Sequence, residues 1–155
     1  MNFRLAEQAD LDQLAHMRWE HWAENGTDPA KQEKDSFVVD FIRQLESRLN
    51  REWFVWCAVE GETILSHVYI QRVQKVPKPS RVVDSFGYIS NVYTRPSHRN
   101  SGIGSQVMKR VRSWALGVDL EFLVLWPSGE SIPFWQRIGF SVDDPLALEI
   151  RPYKF

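Results

Sequence analysis

Apolar residues recur along this chain at two spacings. Leu11, Leu14, Ala15, Trp19 and Trp22 fall on one stripe at helical spacing, which predicts a helix that Asp10 caps and Asn25-Gly26 ends. A second stripe, Phe37, Phe41, Leu45 and Leu49 flanked by Val38 and Ile42, predicts another amphipathic helix. It opens at Asp28-Pro29 or at Asp35-Ser36, since both pairs offer a capping side chain and Pro29 suits the first helical position. A short strand over residues 2–6 precedes both helices. From residue 53 the period changes. Residues 53–59 are apolar at odd and even positions alike, as a strand covered on both faces requires, and Glu60-Gly61 turns the chain into a second strand over 63–73.

Beyond this antiparallel hairpin, residues 75–80 with Pro77 and Pro79 read as an exposed loop. A strand over 86–94 stops before Pro96, and a glycine-containing loop opens into a helix bearing Ile103, Val107, Val111 and Trp114, with Gly117 as its C-cap. Residues 122–126 form a short buried strand, 132–138 a short helix capped by Ser131, and 146–153 a last strand after the Asp143-Asp144-Pro145 turn. No repeat or linker interrupts the chain. Residues 1–155 therefore read as one α+β domain, a three-layer arrangement with a mixed, mostly antiparallel central sheet flanked by helices.

Composition narrows the partners. Lys and Arg number 19 against 20 Asp and Glu, a formal net charge of -1 without a block of one sign, which argues against nucleic acid. The longest apolar run, seven residues, is far short of the roughly 20 that a bilayer span needs, and the start MNFRLAEQAD lacks an apolar secretory core. A cytoplasmic protein with no membrane partner is expected. Cys57, the single cysteine, lies in an all-apolar strand and reads as a buried structural thiol. His16 and His21 are five apart and share no helix face, so no metal site is expected. With 7 Trp, 9 Phe and 4 Tyr, some rings should line a pocket as well as fill the core.

The chemistry lies between residues 91 and 105, which run strand, loop, helix N-terminus. Unpaired first-turn amides carry partial positive charge, so an anion can dock there, and Gly102 and Gly104 keep side chains out of its way while Arg99 adds a cation at the rim. A dinucleotide fingerprint would need glycine where Val107 stands, and the Gly-Lys-Ser/Thr of a P-loop is absent. The form Arg/Gln-x-x-Gly-x-Gly/Ala is met by Arg99, Gly102 and Gly104. This segment resembles the acyl-CoA-binding signature of the GNAT acetyltransferase superfamily. A second likeness follows in Phe134-Trp135-Gln136-Arg137-Ile138-Gly139-Phe140, which is similar to the family's Phe-Tyr-x-x-x-Gly-Phe helix and turn. The N-terminal half agrees in the order of its elements.

The resemblance implies a single GNAT-like domain over 1–155 that transfers acetyl from acetyl-CoA, the acyl-donor substrate, to a primary amine of a small molecule, amino acid or peptide, without a metal. The alternative is a non-catalytic acyl-CoA-binding regulatory module of the same fold. It implies cofactor contacts from Val92, Tyr93 and Thr94 on a splayed strand, from Arg99, Asn100, Ser101, Gly102, Ile103, Gly104 and Ser105, and from Ser128. Lys109, Arg110 or Arg112 meets the 3′-phosphate or merely keeps a helix solvated. Trp135 stands where the family usually has a Tyr acid, and an indole cannot release a proton at useful pH. Tyr88, Ser90, Tyr93 and Ser128 are the candidates left for catalysis on the strand and loops, with Glu20 or Glu24 as a base. Trp19, Trp22 and the second helix occupy the region that closes over the acceptor. Neither the acceptor nor the assembly follows from the sequence, and a homodimer stays open.

Overall fold

The computed structural model describes residues 1–24, 26, 31–80 and 84–141. The chain divides into two compact units, Met1–Leu125 and Trp126–Phe155. The first holds a five-stranded sheet in the order β1-β2-β3-β4-β5. β1 (Asn2–Leu5), β2 (Trp53–Glu60), β3 (Thr63–Gln74) and β4 (Ser85–Thr94) are successive antiparallel neighbours, while β5 (Leu123–Val124) joins β4 in parallel. The mixed, mostly antiparallel α+β arrangement is as expected.

Alternation along β2 sorts the layers. Val55, Cys57 and Val59 join Leu14 and Met17 of α1 (Leu11–Ala23), Leu45 of α2 (Lys31–Glu46), and Ile64 and Tyr69 of β3 in one core cluster. Phe54 points to the other face by the period of two and meets Trp114 of α3 (Ile103–Gly117) at 4.8 Å between ring centroids. Val107 and Val111 of α3 are fully buried. Cys57 is buried as expected, and burial pushes its thiol up to about 12.

Several sequence expectations need correction. Asp10 does not cap α1. Its carboxylate accepts hydrogen bonds from both terminal nitrogens of Arg4, at 2.6 and 3.0 Å, and from the Glu7 amide at 2.7 Å, within a 3-10 turn over Gln8–Asp10 that leads into the helix. Asp35 and Ser36 lie inside α2, whose described start is Lys31; the alternative start at Asp28-Pro29 lies outside the described residues, as does Asn25. Trp22 is exposed rather than core, because α1 turns Leu14, Ala15 and Met17 inward. Gly117 is helical, and the left-handed residue after α3 is Asp119, at φ 57°. The strand expected over 122–126 pairs only at Leu123 and Val124 and is half-buried, with Phe122 and Trp126 exposed. The turn at Asp143-Asp144-Pro145 and the strand over 146–153 lie outside the described residues.

The Arg4–Asp10 pair makes a testable contribution. Hydrogen bonding to Arg4, partly opposed by burial, holds the Asp10 carboxyl below its usual range. A carboxyl depressed by folding stabilises fully above its unfolded pKa, and that stabilisation is lost as pH falls through the lowered value. Asp10→Asn should therefore cost about 2 kcal/mol at pH 7. Urea unfolding at pH 7 and at acid pH checks it: the gap between the two proteins should narrow on the acid side.

In the second unit, a 3-10 turn over Gly129–Ser131 leads into α4 (Ile132–Arg137). Ser131 does not cap this helix. Its hydroxyl donates to the Ser128 carbonyl at 2.8 Å and accepts from the Trp135 indole at 3.2 Å. Trp135 is buried, edge-on to Phe134 and Phe140 at 5.0 and 5.2 Å.

Candidate active site

Two backbone irregularities on β4 shape the site. The register against β3 shifts between the pairs His67–Tyr93 and Tyr69–Ser90, so that Asn91 and Val92 together oppose the single residue Val68. Asn91 takes the left-handed conformation, at φ 46°, that lets one extra residue bulge out of the strand. The second irregularity is on the opposite edge. β5 pairs with Gly87 and Tyr88 only, so residues 89–94 have no partner on that side among the described residues. Gly87 permits the short contact that remains: a Cβ on it would stand 2.6 Å from Leu123 Cδ2, 3.0 Å from Ile70 Cγ2 and 3.2 Å from Leu120 Cδ1.

The loop that follows sets the start of α3. Pro96–His98 forms a 3-10 turn, Asn100 is left-handed at φ 59°, and Gly102 occupies the N-cap position at φ 79°. No side chain caps the helix, and Gln106 is the residue whose amide first bonds back to the Gly102 carbonyl. The first-turn amides of Ile103, Gly104 and Ser105 precede that bond. A side chain on Gly102 would enter open space, with nothing within 4 Å of its Cβ. These features fit a pyrophosphate: unsatisfied donors, positive helix end and an unobstructed approach.

Arg99 is less available than its rim position suggested. Its Nε donates to the Thr94 carbonyl at 2.9 Å, its Nη2 to Glu24 at 2.6 Å, and its guanidinium lies 5.4 Å from the Tyr93 ring centroid. The Tyr93 hydroxyl also donates to Glu24, at 2.7 Å. Burial pushes the Glu24 carboxyl up, yet the combined bonds from Arg99 and Tyr93 hold it below the usual carboxylate range. Burial and the Glu24 carboxylate together push the Tyr93 phenol well above its ordinary value. Glu20 is paired with Arg95 at 2.8 Å. Both suggested carboxylate bases are thus engaged by arginines.

A histidine pair stands where those carboxylates were sought. His21 Nδ1 lies 3.0 Å from Asn91 Oδ1, and its ring stacks on Tyr93 at 5.0 Å. An amide oxygen can only accept, so Nδ1 is the donor in this contact. His67 lies fully buried between Tyr69 and Tyr93, with ring centroids at 5.0 and 5.9 Å. Burial, reinforced by His21 and Arg18, pushes its imidazole down to about 3, so it is neutral.

Ser90 and Asn91 open on a cavity of about 230 Å³ that Arg18, Phe41, Trp53 and Tyr69 also line. Arg18 lines a second cavity, of about 250 Å³, with Trp19, Trp22 and Phe37. Tyr88 is half-buried one register step along β4, opposite Gln71 and Val124. Val92, Tyr93 and Thr94 end β4, and the 3-10 turn Pro96–His98 separates them from residues 99–105. Ser128 and Trp135 belong to the second unit; Ser128 is exposed and precedes the 3-10 turn. Lys109, Arg110 and Arg112 are exposed on α3, and Arg110 lies 5.9 Å from the Phe3 ring. Arg18, Tyr69 and Gly87 were not singled out from sequence, and His21 was weighed only as a metal ligand. For Arg18 a signal existed: it falls on the stripe of Leu14 and Trp22 at i+4 spacing, where a cation is out of place. Among the described residues no group of three metal-ligating side chains forms, and no helix is long and apolar enough to cross a membrane.

Comparison with known proteins meets this geometry. The model of the acetyltransferase (GNAT) family matches residues 11–140. No curated protein sequence matches the chain. Among solved structures, a GCN5-related N-acetyltransferase from Ralstonia eutropha JMP134 is 27% identical with a TM-score of 0.74, covering 96% of this chain and 97% of its own. A predicted acetyltransferase from Clostridium acetobutylicum, solved with acetyl-CoA, is 25% identical with a TM-score of 0.72, covering 96% of this chain and 95% of its own. An aminoglycoside antibiotic 6′-N-acetyltransferase from Acinetobacter haemolyticus shares the fold at 14% identity, with a TM-score of 0.68 over 99% of this chain and 100% of that one.

Proposed function

We infer the reaction from the premise that this chain belongs to the acetyltransferase (GNAT) family and is an N-acetyltransferase. Its donor is acetyl-CoA and its acceptor a primary amine. The observation that carries the donor is the uncapped start of α3, where the amides of Ile103, Gly104 and Ser105 face space that Gly102 leaves open. Asn100 and Ser101 complete that loop. The backbone of Val92, Tyr93 and Thr94, on the stretch of β4 that β5 leaves unpaired, lines the path of the pantetheine arm. Arg99 acts mainly as a strut that ties the loop to α1 through Glu24.

The bound donor supplies a thioester carbonyl for the amine to attack and a thiol to leave. The chain must then remove a proton from the amine and stabilise the oxyanion. The bulge at Asn91 and Val92 turns backbone out of the ladder, where an amide can serve the oxyanion. His21, oriented by Asn91 at that bulge, takes the proton; imidazole is the commonest general base, and the nearby carboxylates are already paired. Tyr93 gives up its proton reluctantly, which leaves the Tyr88 phenol on the same strand to protonate the departing thiolate, with the Ser90 hydroxyl able to donate a hydrogen bond to it. The indole of Trp135 is committed to Ser131 and packs between two phenylalanines, so a structural role suits it better than that of a replacement acid.

Acetyl-CoA should raise the melting midpoint. A ligand present at 100 times its Kd adds about 2.7 kcal/mol to the native state, and an unchanged midpoint at millimolar acetyl-CoA would remove the donor assignment. Gly102→Asn tests the cradle more closely. Asparagine tolerates the left-handed backbone and caps the first turn itself, so the free protein should melt at the same temperature or higher. Its side chain then competes for the pyrophosphate's donors, and acetyl-CoA affinity should fall by about tenfold, the equivalent of one cap. Undiminished affinity would show that the phosphates bind elsewhere.

A further inference from the structure

Arg18 is a half-buried arginine with neither a carboxylate nor a hydrogen-bond partner among the described residues. Arg4 meets Asp10, Arg95 meets Glu20 and Arg99 meets Glu24, all within 2.8 Å, whereas no carboxylate pairs with Arg18 among the described residues. Burial pushes its guanidinium below the ordinary value, as befits a cation withdrawn from water without a counter-charge. Such a group is costly to keep unless something supplies the missing anion.

A second polar group in the same place lacks a partner. Tyr69 is 4% exposed, and its hydroxyl makes no hydrogen bond. It lines the cavity that Arg18 shares with Ser90 and Asn91, beside the bulge. Arg18 also reaches the other cavity, whose remaining lining among the described residues is aromatic: Trp19, Trp22 and Phe37. Trp19 packs 5.2 Å from Trp22 and 5.4 Å from Phe37, so these rings support one another as a wall. A cation, a buried hydroxyl donor, an aromatic wall and the reacting edge of β4 therefore converge on one side chain.

The geometry points to an acceptor that carries its own carboxylate: an apolar or aromatic amino acid whose carboxylate pairs with Arg18, whose side chain lies against Trp19, Trp22 and Phe37, and whose amine faces Asn91. This rests on the N-acetyltransferase reading and specifies its acceptor. A guanidinium presents two parallel donors that match a carboxylate, which gives orientation as well as charge. The pairing selects against polycationic amines, which would meet an unneutralised cation of their own sign.

L-Phenylalanine, phenylalanine amide and phenethylamine, compared as acceptors by thiol release from acetyl-CoA, provide the test. Phenylalanine should exceed its amide in kcat/KM by at least tenfold, chiefly through KM. Arg18→Met should bring that ratio close to one, and Arg18→Lys should keep part of it. An amide as good as the acid, or a preference that survives Arg18→Met, overturns the proposal and leaves acetyl transfer standing. Should no amine release thiol, the transferase reading is at fault instead. Calorimetric titration with N-acetyl-L-phenylalanine then decides the Arg18 assignment without turnover: binding by the full-length protein that Arg18→Met abolishes and Arg18→Lys retains in part supports it, and no binding, or equal binding by both variants, refutes it.

Discussion

Gly87→Val is expected to destabilise the protein by about 3 kcal/mol and to weaken acetyl-CoA binding, with Gly87→Ala intermediate. Gly87 faces side chains from three other segments, Ile70, Leu120 and Leu123, all within 3.2 Å of where a Cβ would stand. Ile70 is fully buried and Leu120 nearly so, which leaves the strain to be relieved at β5. That strand is the weakest neighbour, held by pairs at Gly87 and Tyr88 and by the Gly87 amide bond to the Phe122 carbonyl at 3.0 Å. Pushing β5 outward breaks that bond and changes the point at which the two strands part, which is where the donor's arm is proposed to enter. Urea unfolding of the three proteins, followed by calorimetry with acetyl-CoA, reads both effects. A midpoint loss under about 0.5 kcal/mol for valine would mean that β5 yields freely and does not define the gap.

His21→Gln is expected to lower kcat by at least about 100-fold with little change in the KM for acetyl-CoA, the range over which a general base acts. Glutamine can still donate to Asn91 and preserve the side-chain position, but it cannot accept a proton. The loss has a signature that packing damage lacks. Where the base serves only to deprotonate the amine, the variant's rate climbs with pH as the free amine accumulates, and the deficit shrinks toward the amine's own pKa. A loss smaller than threefold, or a deficit constant across pH, would return the proton transfer to water or to another residue. Neutral, inaccessible His67 makes a useful companion: His67→Gln removes a buried ring packed on Tyr69 and Tyr93, and its effect should fall on stability.

The periodicities alone determined most of the fold. Stripes at spacings of three and four and a run apolar at both parities each report which faces are buried, and burial is what a one-dimensional pattern records. So the helices around Leu14, Leu45 and Val107, the hairpin at Glu60-Gly61 and the glycine before α3 were all legible, the last because φ 79° at Gly102 is a local backbone demand that leaves its mark as a residue type. Cap positions and strand ends were read less well. Asp10 had the right residue type for a cap, but Arg4, on the neighbouring strand, claims its carboxylate. Gly117 had the right type for a terminus, yet Asp119 takes the left-handed turn.

What tertiary structure decided is which polar groups meet. Glu24 and Arg99 are 75 residues apart in sequence and His21 and Asn91 are 70, so no spacing rule connects them. Glu20 and Glu24 looked like free carboxylates on a solvated helix, and folding turned both into ion-pair partners. Arg18 went the other way: an unremarked cation on an apolar stripe became the half-buried charge without a described partner. Charge and hydrogen-bond capacity belong to a residue type, but whether they are satisfied depends on the groups that the fold brings within about 3 Å. For that reason a loop built from consecutive amides at the start of α3 could be read from the sequence, whereas the two cavities that Arg18 lines had to wait for α1, α2, β3 and β4 to come together.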